Sequence, residues 1–322
     1  MDYQEFLNYV KDNILSYLDL EEDTQAEIRT YTKNNGLKCN ALSIRRVGFS
    51  MSPNIYLEPF FAHYQKGIDI TEIMEAIADF YNEHADEVDI DVDDIFKLEA
   101  IRDHLIIRLV NTESNKEQIE RCPHVHFHDM TVMFRWLVSR ADVSIGSVLI
   151  SNREYRQWNI NIAELFEIAL ANTVRIFPGK ITQLGNMLVG YLKRAMDGIN
   201  SSGSDGSALQ GVREDLAEYI AGEANQPPLY ILTNESGING ASSILYPGVL
   251  KAFAESIGKN LYLMPSSIHE FIILPEHETV FIEEMFELVT DANHTVVPKT
   301  DVLADSVYYY SLSNNQIIKL AL

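Results

Sequence analysis

Cysteine is scarce in this chain, which contains only Cys39 and Cys122 among 322 residues. Two cysteines cannot build a disulfide framework, and there is no second pair for a zinc site of paired cysteines. No apolar run approaches the roughly 18 residues that a transmembrane helix needs. The first residues, Met1–Glu5, are acidic where a signal peptide is basic. These absences predict a protein of the reducing cytoplasm.

Positive charge is also scarce, because 25 Lys and Arg face 47 Asp and Glu, giving a formal net charge of −22. Such a surface repels phosphate backbones and anionic lipids, so direct binding of nucleic acid or of a membrane is not expected. High solubility is the simplest consequence. A sharper alternative is an acidic mimic of nucleic acid that inhibits a basic nucleic-acid-binding protein. Residues 71–104 would carry the mimicry, with 12 acidic and 2 basic residues.

The hydrophobic pattern predicts an α+β fold in two parts. Over residues 1–121 we expect a helix at 2–18, strands at 37–46 and 54–64, and a helix capped by Asp69, which make a helix–hairpin–helix part. Over residues 122–322 we expect a larger part, a mixed sheet covered by helices. The two parts are either separate or share one core.

The segment 198–211 is rich in glycine and serine and has no apolar cluster. It is predicted to be a flexible loop within the second part.

Three histidines alternate along one predicted strand, at His124, His126 and His128. Residues two apart share a strand face, and three neutral imidazoles can hold zinc with a fourth position open for water. The run therefore supports an alternative function, a metal-dependent hydrolase with Asp129 or a remote glutamate as base. The simpler interpretation is a polar strand face, because one strand rarely supplies three ligands.

Two turns in the last third of the chain form the main candidate for ligand binding. The loop 233–243 joins a strand to a helix, whose N-terminal N–H groups attract anions, and the segment 265–270 is a second polar turn. A crossover connection would place both turns at one sheet edge. The candidate residues are Asn234, Gly240, Ser242, Ser267 and His269. The alternative is helix capping and local turn hydrogen bonds.

Four segments carry a resemblance to a known family: Ser151–Trp158, Leu229–Asn234, Gly240–Leu245 and Leu261–Glu270. They resemble an uncharacterised domain-of-unknown-function family common in gut Firmicutes and, more distantly, the YtpQ-like uncharacterised family. The resemblance implies a cytoplasmic bacterial protein and suggests a mobile-element setting. It supplies no activity to carry over.

The leading functional hypothesis is a non-enzymatic binding or regulatory protein that acts on a protein partner. A partner with a basic surface is one option. The hypothesis depends on the absence of a recognised catalytic constellation and of a cofactor fingerprint, together with the strong acidity. No cofactor is expected. The identity of the partner and the oligomeric state are left open by the sequence.

Overall fold

The computed structural model describes residues 1–46, 52–84, 92–141, 144–185, 228–278 and 281–321. The predicted loop at 198–211 lies outside these ranges, as does part of the acidic stretch at 71–104. Among the helices in the described ranges, none has the length and apolarity needed to cross a membrane.

The N-terminal part combines three helices with a small antiparallel sheet. The helices are α1 (Tyr3–Asn13), α2 (Glu58–Gln65) and α3 (Ile70–His84), and the strands, in sheet order, are β1 (Gln25–Thr32), β2 (Lys38–Arg45) and β3 (Ile55–Tyr56). The Asp2 carboxylate caps α1, and the Asp69 carboxylate accepts a hydrogen bond from the N–H of Thr71 as predicted. Helices α1 and α3 share one apolar core with β2, which includes Phe6, Val10, Ile14, Leu42, Ile44, Met74, Ile77 and Tyr81.

The hairpin of this part differs from the prediction. The run at 37–46 does contain β2, but the run at 54–64 gives only the short β3 before α2 begins. Pro59 lies in the first turn of α2, where a helix tolerates a missing N–H. The long partner of β2 is β1, which precedes it. The connection between them includes Asn35, whose φ of 59° is tolerated best by asparagine and glycine.

A central sheet follows, built around the twelve-residue strand β6 (Met130–Ala141). One edge of β6 pairs with β4 (Leu105–Asn111), and the other edge pairs with β5 (His124–Phe127) and β7 (Ser144–Leu149). Helix α4 (Ile162–Ile176) packs against β4, and the side chain of Asn161 caps its first turn.

The C-terminal part contains a six-stranded antiparallel sheet. Its order is β13 (Gln316–Lys319), β12 (Tyr308–Ser311), β10 (Leu261–Ser267), β11 (Glu270–Pro275), β9 (Tyr230–Asn234) and β8 (Gly179–Gln183). Helix α5 (Val249–Ile257) follows a 3₁₀ segment at Gly240–Leu245, and helix α6 (Ile282–Thr295) packs against β10. One large apolar core spans the central and C-terminal sheets and includes Ile107, Leu109, Phe134, Leu165, Ile244, Leu263, Phe271 and Tyr308.

The predicted α+β class is confirmed. Every strand pair in the described ranges is antiparallel, which differs from the mixed sheet expected over residues 122–322. The reason is the position of β11, which lies between β9 and β10. Those two strands run in the same direction but are separated by one strand, so the expected parallel contact is absent there. Strand β4 precedes residue 121 and pairs with β6, which follows it, so one sheet contains strands from both predicted parts. The division into two parts at residue 121 stays a prediction.

Candidate functional site

The two predicted turns do lie together at the end of strands β9 and β10. The Thr233 hydroxyl donates to the carbonyl oxygen of His269 at 2.8 Å, and the N–H of Asn239 donates to His269 Nδ1 at 3.1 Å. Since Nδ1 accepts a hydrogen bond, the neutral His269 ring carries its proton on Nε2. That nitrogen lies 3.8 Å from the Asp301 carboxylate.

Two of the predicted ligand-binding residues are occupied by structural contacts. The Ser242 hydroxyl is buried and accepts a hydrogen bond from the N–H of Leu109 in β4 at 3.1 Å. Gly240 allows close approach of the chain, because a Cβ there would lie 2.6 Å from the carbonyl oxygen of His269. These contacts match the simpler interpretation of the loop for these two positions.

Asn234 and Ser267 also make local hydrogen bonds. The Asn234 amide donates to the carbonyl oxygen of Ile238 at 2.9 Å, and the Ser267 hydroxyl accepts from the N–H of His269 at 3.0 Å. Among contacts with the described residues, His269 is the one of the five predicted residues that reaches a polar side chain outside the two turns, that of Asp301. Whether the five residues contact a ligand stays a prediction.

The three histidines do not share one face. His124 and His126 lie on strand β5 with ring centroids 5.0 Å apart, but the strand ends at Phe127. His128 adopts a φ of 55° in the following turn, and its ring packs against Phe127 and Tyr308. The described residues include no group of three or more His, Cys, Asp or Glu side chains that could hold a metal. The expected alignment therefore fails at His128, and the hydrolase alternative stays a prediction.

Asp129, the base suggested for that alternative, is used elsewhere. Its carboxylate accepts hydrogen bonds from the hydroxyls of Ser306 and Tyr308 and from the Lys319 ammonium, and so ties the β5–β6 turn to the β12–β13 hairpin. Burial alone would raise the pKa of Asp129, but these hydrogen bonds and the Lys319 charge together hold it below its ordinary value. A carboxylate bound in this way is a poor proton acceptor at neutral pH.

A pair of arginines stands out on the central sheet. In the β4–β6 register, Arg108 lies opposite Met133 and Ile106 lies opposite Arg135. Because cross-strand partners share a face and residues two apart share a face, Arg108 and Arg135 are diagonal neighbours on one side of the sheet. The other side of β4 packs into the large core. Two small apolar clusters flank the pair, one containing Val110 and Met133 and the other Ile106, Leu137 and Phe177.

The two guanidinium groups are poorly compensated. Arg135 donates from Nε and Nη2 to the hydroxyl and carbonyl oxygens of Ser147, both at 2.8 Å. Arg108 makes no side-chain hydrogen bond to a described residue, and its Nε is buried without an acceptor. Burial lowers the pKa of Arg108, whereas the charge of the Asp301 carboxylate acts to raise it. The pKa of Arg135 is also lowered, first by burial and then by the positive charge of Arg108. Two like charges thus lie together in a place where their hydration is reduced.

These arginines form the floor of a cavity of about 410 Å³, called here the arginine pocket. Three regions of the chain enclose it. The N-terminal part contributes Tyr31–Asn34 and Tyr56, the central sheet contributes its arginine face and the helical turn with Gln118, and the C-terminal part contributes Thr300 and Asp301. Lys33 adds a third positive charge, with its ammonium 3.3 Å from the centroid of the Tyr56 ring.

The predicted loop lies just behind this pocket. A void of about 10 Å³ is lined on one side by Arg108 and Arg135 and on the other by Asn234, Ile238 and Asn239. The predicted loop therefore borders the arginine pocket, whereas neither arginine was among the residues predicted from the sequence. Each arginine interrupts an apolar strand, and that interruption was the available signal. That Arg108 and Arg135 are neighbours follows only from the antiparallel register of β4 and β6.

A family model matches nearly the whole chain, over residues 3–312, and is described as a family of unknown function, DUF5688. The chain belongs to DUF5688. No curated protein and no solved structure gives a significant match. Membership of DUF5688 agrees with the predicted resemblance to a domain-of-unknown-function family. The distribution in gut Firmicutes, the mobile-element setting and the likeness to the YtpQ-like family stay predictions.

Proposed function

We propose that this DUF5688 protein binds a small multivalent anion, bearing phosphate or carboxylate groups, in the arginine pocket, and that it acts as a binding or regulatory protein. One observation carries the proposal. Arg108 and Arg135 share a largely buried sheet face, and neither forms a salt bridge within the described ranges. Yet acidic residues outnumber basic ones by 47 to 25, so carboxylate partners are plentiful in the chain.

The energetics favour a ligand as the missing partner. Burying a charge is costly unless an opposite charge or hydrogen-bond acceptors compensate it, and two adjacent like charges add repulsion. A bound anion would neutralise both guanidinium groups and supply the acceptor that Arg108 Nε lacks. Guanidinium groups suit phosphate and carboxylate because two parallel N–H bonds can reach two oxygens.

The size and charge of the molecule argue for a small ligand. The pocket volume of about 410 Å³ lies within the range of small-molecule sites, roughly 300–1,000 Å³. A net charge of −22 opposes the approach of an extended polyanion such as nucleic acid. A small anion is repelled much less and can reach the local positive charge of Lys33 and the two arginines.

Isothermal titration of the full-length protein with inorganic pyrophosphate and with citrate tests the proposal. Arg108→Gln is the informative variant, because Arg108 makes no side-chain hydrogen bond to a described residue. We expect it to weaken binding by about tenfold or more. The matched control is Arg156→Gln, which removes one charge at an exposed position and should leave affinity within about twofold. If the wild type binds neither anion, or if both variants weaken binding equally, the proposal is wrong.

We further propose that this protein associates with a protein partner. A partner with a basic surface is one option, because it would complement the acidic surface of this protein. In this proposal, binding of the anion in the arginine pocket regulates the association. We also propose a cytoplasmic location, which the two free and buried cysteines support because a reducing compartment preserves thiols.

A further inference from the structure

The arginine pocket has a second chemical character besides its positive floor. Its rim offers hydrogen-bond acceptors, which a fully ionised inorganic anion cannot use because it has no hydrogen-bond donor. The Asn34 amide nitrogen donates to the carbonyl oxygen of Thr300 at 2.6 Å, and the Gln118 amide nitrogen donates to that of Thr32 at 2.9 Å. A carbonyl partner fixes the orientation of each amide. The side-chain oxygens of Asn34 and Gln118 accept no hydrogen bond from a described residue.

Asp301 adds a charged acceptor to this rim. Its carboxylate lies 3.8 Å from His269 Nε2, and within the described part of the chain it accepts no closer side-chain hydrogen bond. Asp301 lines the same pocket as Arg108 but forms no direct ion pair with it. A carboxylate in an anion site repels the ligand unless the ligand brings a donor to it. The presence of Asp301 therefore indicates a ligand that carries a hydrogen-bond donor as well as negative charge.

We infer that the ligand is a phosphate monoester of a small polyhydroxylated molecule, with its phosphate on Arg108 and Arg135 and its hydroxyl groups on Asp301, Asn34 and Gln118. This inference rests on the proposed function and narrows it. The charges agree, since two arginines and Lys33 against one carboxylate suit a ligand of about two negative charges, which a phosphate monoester carries near neutral pH.

Hydroxyl groups fit the rim better than an ammonium group does. Two of the three free acceptors are neutral amide oxygens, and neutral acceptors compensate a buried ammonium poorly. Lys33 also lines the pocket, and its positive charge would oppose a second ammonium. Hydroxyl donors have no such conflict, and each can bond to one acceptor.

Two ligands of similar size separate the contributions of floor and rim. Glycerol 3-phosphate and n-propyl phosphate share the phosphate and the three-carbon chain, but only the first has hydroxyl groups. In isothermal titrations at fixed ionic strength, we expect the wild type to prefer glycerol 3-phosphate by about tenfold. Phosphoethanolamine, which carries an ammonium instead, should bind more weakly than glycerol 3-phosphate.

Asp301→Asn should move the two affinities in opposite directions. Removing the carboxylate charge lessens repulsion, so n-propyl phosphate should bind more tightly, while glycerol 3-phosphate loses its charged acceptor and should bind more weakly. Asp305→Asn, also a carboxylate in this segment but exposed, is the control and should change neither. Equal binding of the two ligands by the wild type, or a preference for phosphoethanolamine, would overturn the inference while leaving anion binding intact. Failure of every phosphate and of citrate to bind would instead overturn the proposed function.

Discussion

At the scale of single residues, the sequence indicated where polar groups gather but not which of them are free. Ser242 and Thr173 illustrate the difference. Their hydroxyls accept hydrogen bonds from the N–H groups of Leu109 and Ile107, which face outward from the edge strand β4. A serine in a Gly- and Asn-rich loop is typical of a ligand site. It is equally typical of a loop whose side chains accept hydrogen bonds from the free N–H groups of an edge strand. Only the tertiary contact distinguishes the two.

Ser242→Ala should therefore lower stability without affecting anion binding. The substitution leaves the buried N–H of Leu109 without its acceptor, which costs about 1–3 kcal/mol in the free energy of unfolding. Urea denaturation measures that loss. Ser256→Ala is the control, because the Ser256 hydroxyl bonds to a backbone carbonyl at an exposed position and its loss should cost at most about 0.5 kcal/mol. Equal stability of the two variants would show that the Ser242 contact is unimportant.

Arg108→Met should raise stability in the absence of a ligand. A methionine fills a similar volume and removes both the desolvated charge and its repulsion on Arg135, so the free energy of unfolding should rise by about 1 kcal/mol or more. The same variant should lose pyrophosphate binding. A lower stability measured by urea denaturation at neutral pH would mean that Arg108 is compensated within the protein itself.

At the scale of elements, helices with clear caps and the closing hairpin were predictable, whereas strand partners were not. Asp69 begins a helix as expected, Asn161 caps α4 in the same way, and Asn315 adopts a φ of 49° in the turn between β12 and β13. These signals are local, so the sequence displays them directly. The pairing of β2 with β1, and the insertion of β11 between β9 and β10, depend on contacts between distant segments, which local patterns do not encode.

The link between the β5–β6 turn and the last hairpin gives a pH prediction. The pKa of Asp129 is lower in the folded protein than its ordinary value of 3.8, so its hydrogen bonds contribute fully above that value. The contribution is lost as the pH falls through the lowered pKa. Asp129→Asn should cost about 2 kcal/mol at pH 7, and the difference from the wild type should shrink below about pH 3.8. Asp12→Asn, at a position with 65% of its side chain exposed, should show no comparable trend. If the stability difference between Asp129→Asn and the wild type did not change with pH, the lowered pKa of Asp129 would be contradicted.

At the scale of the whole molecule, the arginine pocket lies where the three parts of the chain meet. The N-terminal part has its own apolar core, and polar contacts dock it on the rest of the protein. The Asn35 amide donates to the carbonyl oxygens of Lys299 and Val302 at 2.8 and 2.7 Å, and its backbone N–H donates to Asn115 at 2.8 Å. Polar contacts of this kind hold two parts together less firmly than a shared apolar core does, so a ligand between them can change how tightly they associate.

Anion binding should therefore protect the β1–β2 hairpin from opening. An anion held between the arginine floor and Lys33 would add contacts that exist only while the N-terminal part is docked, and linkage then favours the docked state. In hydrogen–deuterium exchange with saturating pyrophosphate, peptides covering 25–34 should exchange more slowly, whereas peptides from α6 should exchange unchanged. In Arg108→Gln the same concentration should give less protection, because this variant is expected to bind the anion more weakly by about tenfold or more. Uniform slowing over the whole chain would mean that the anion acts through global stability, and unchanged exchange at 25–34 would mean that the ligand does not bridge the parts.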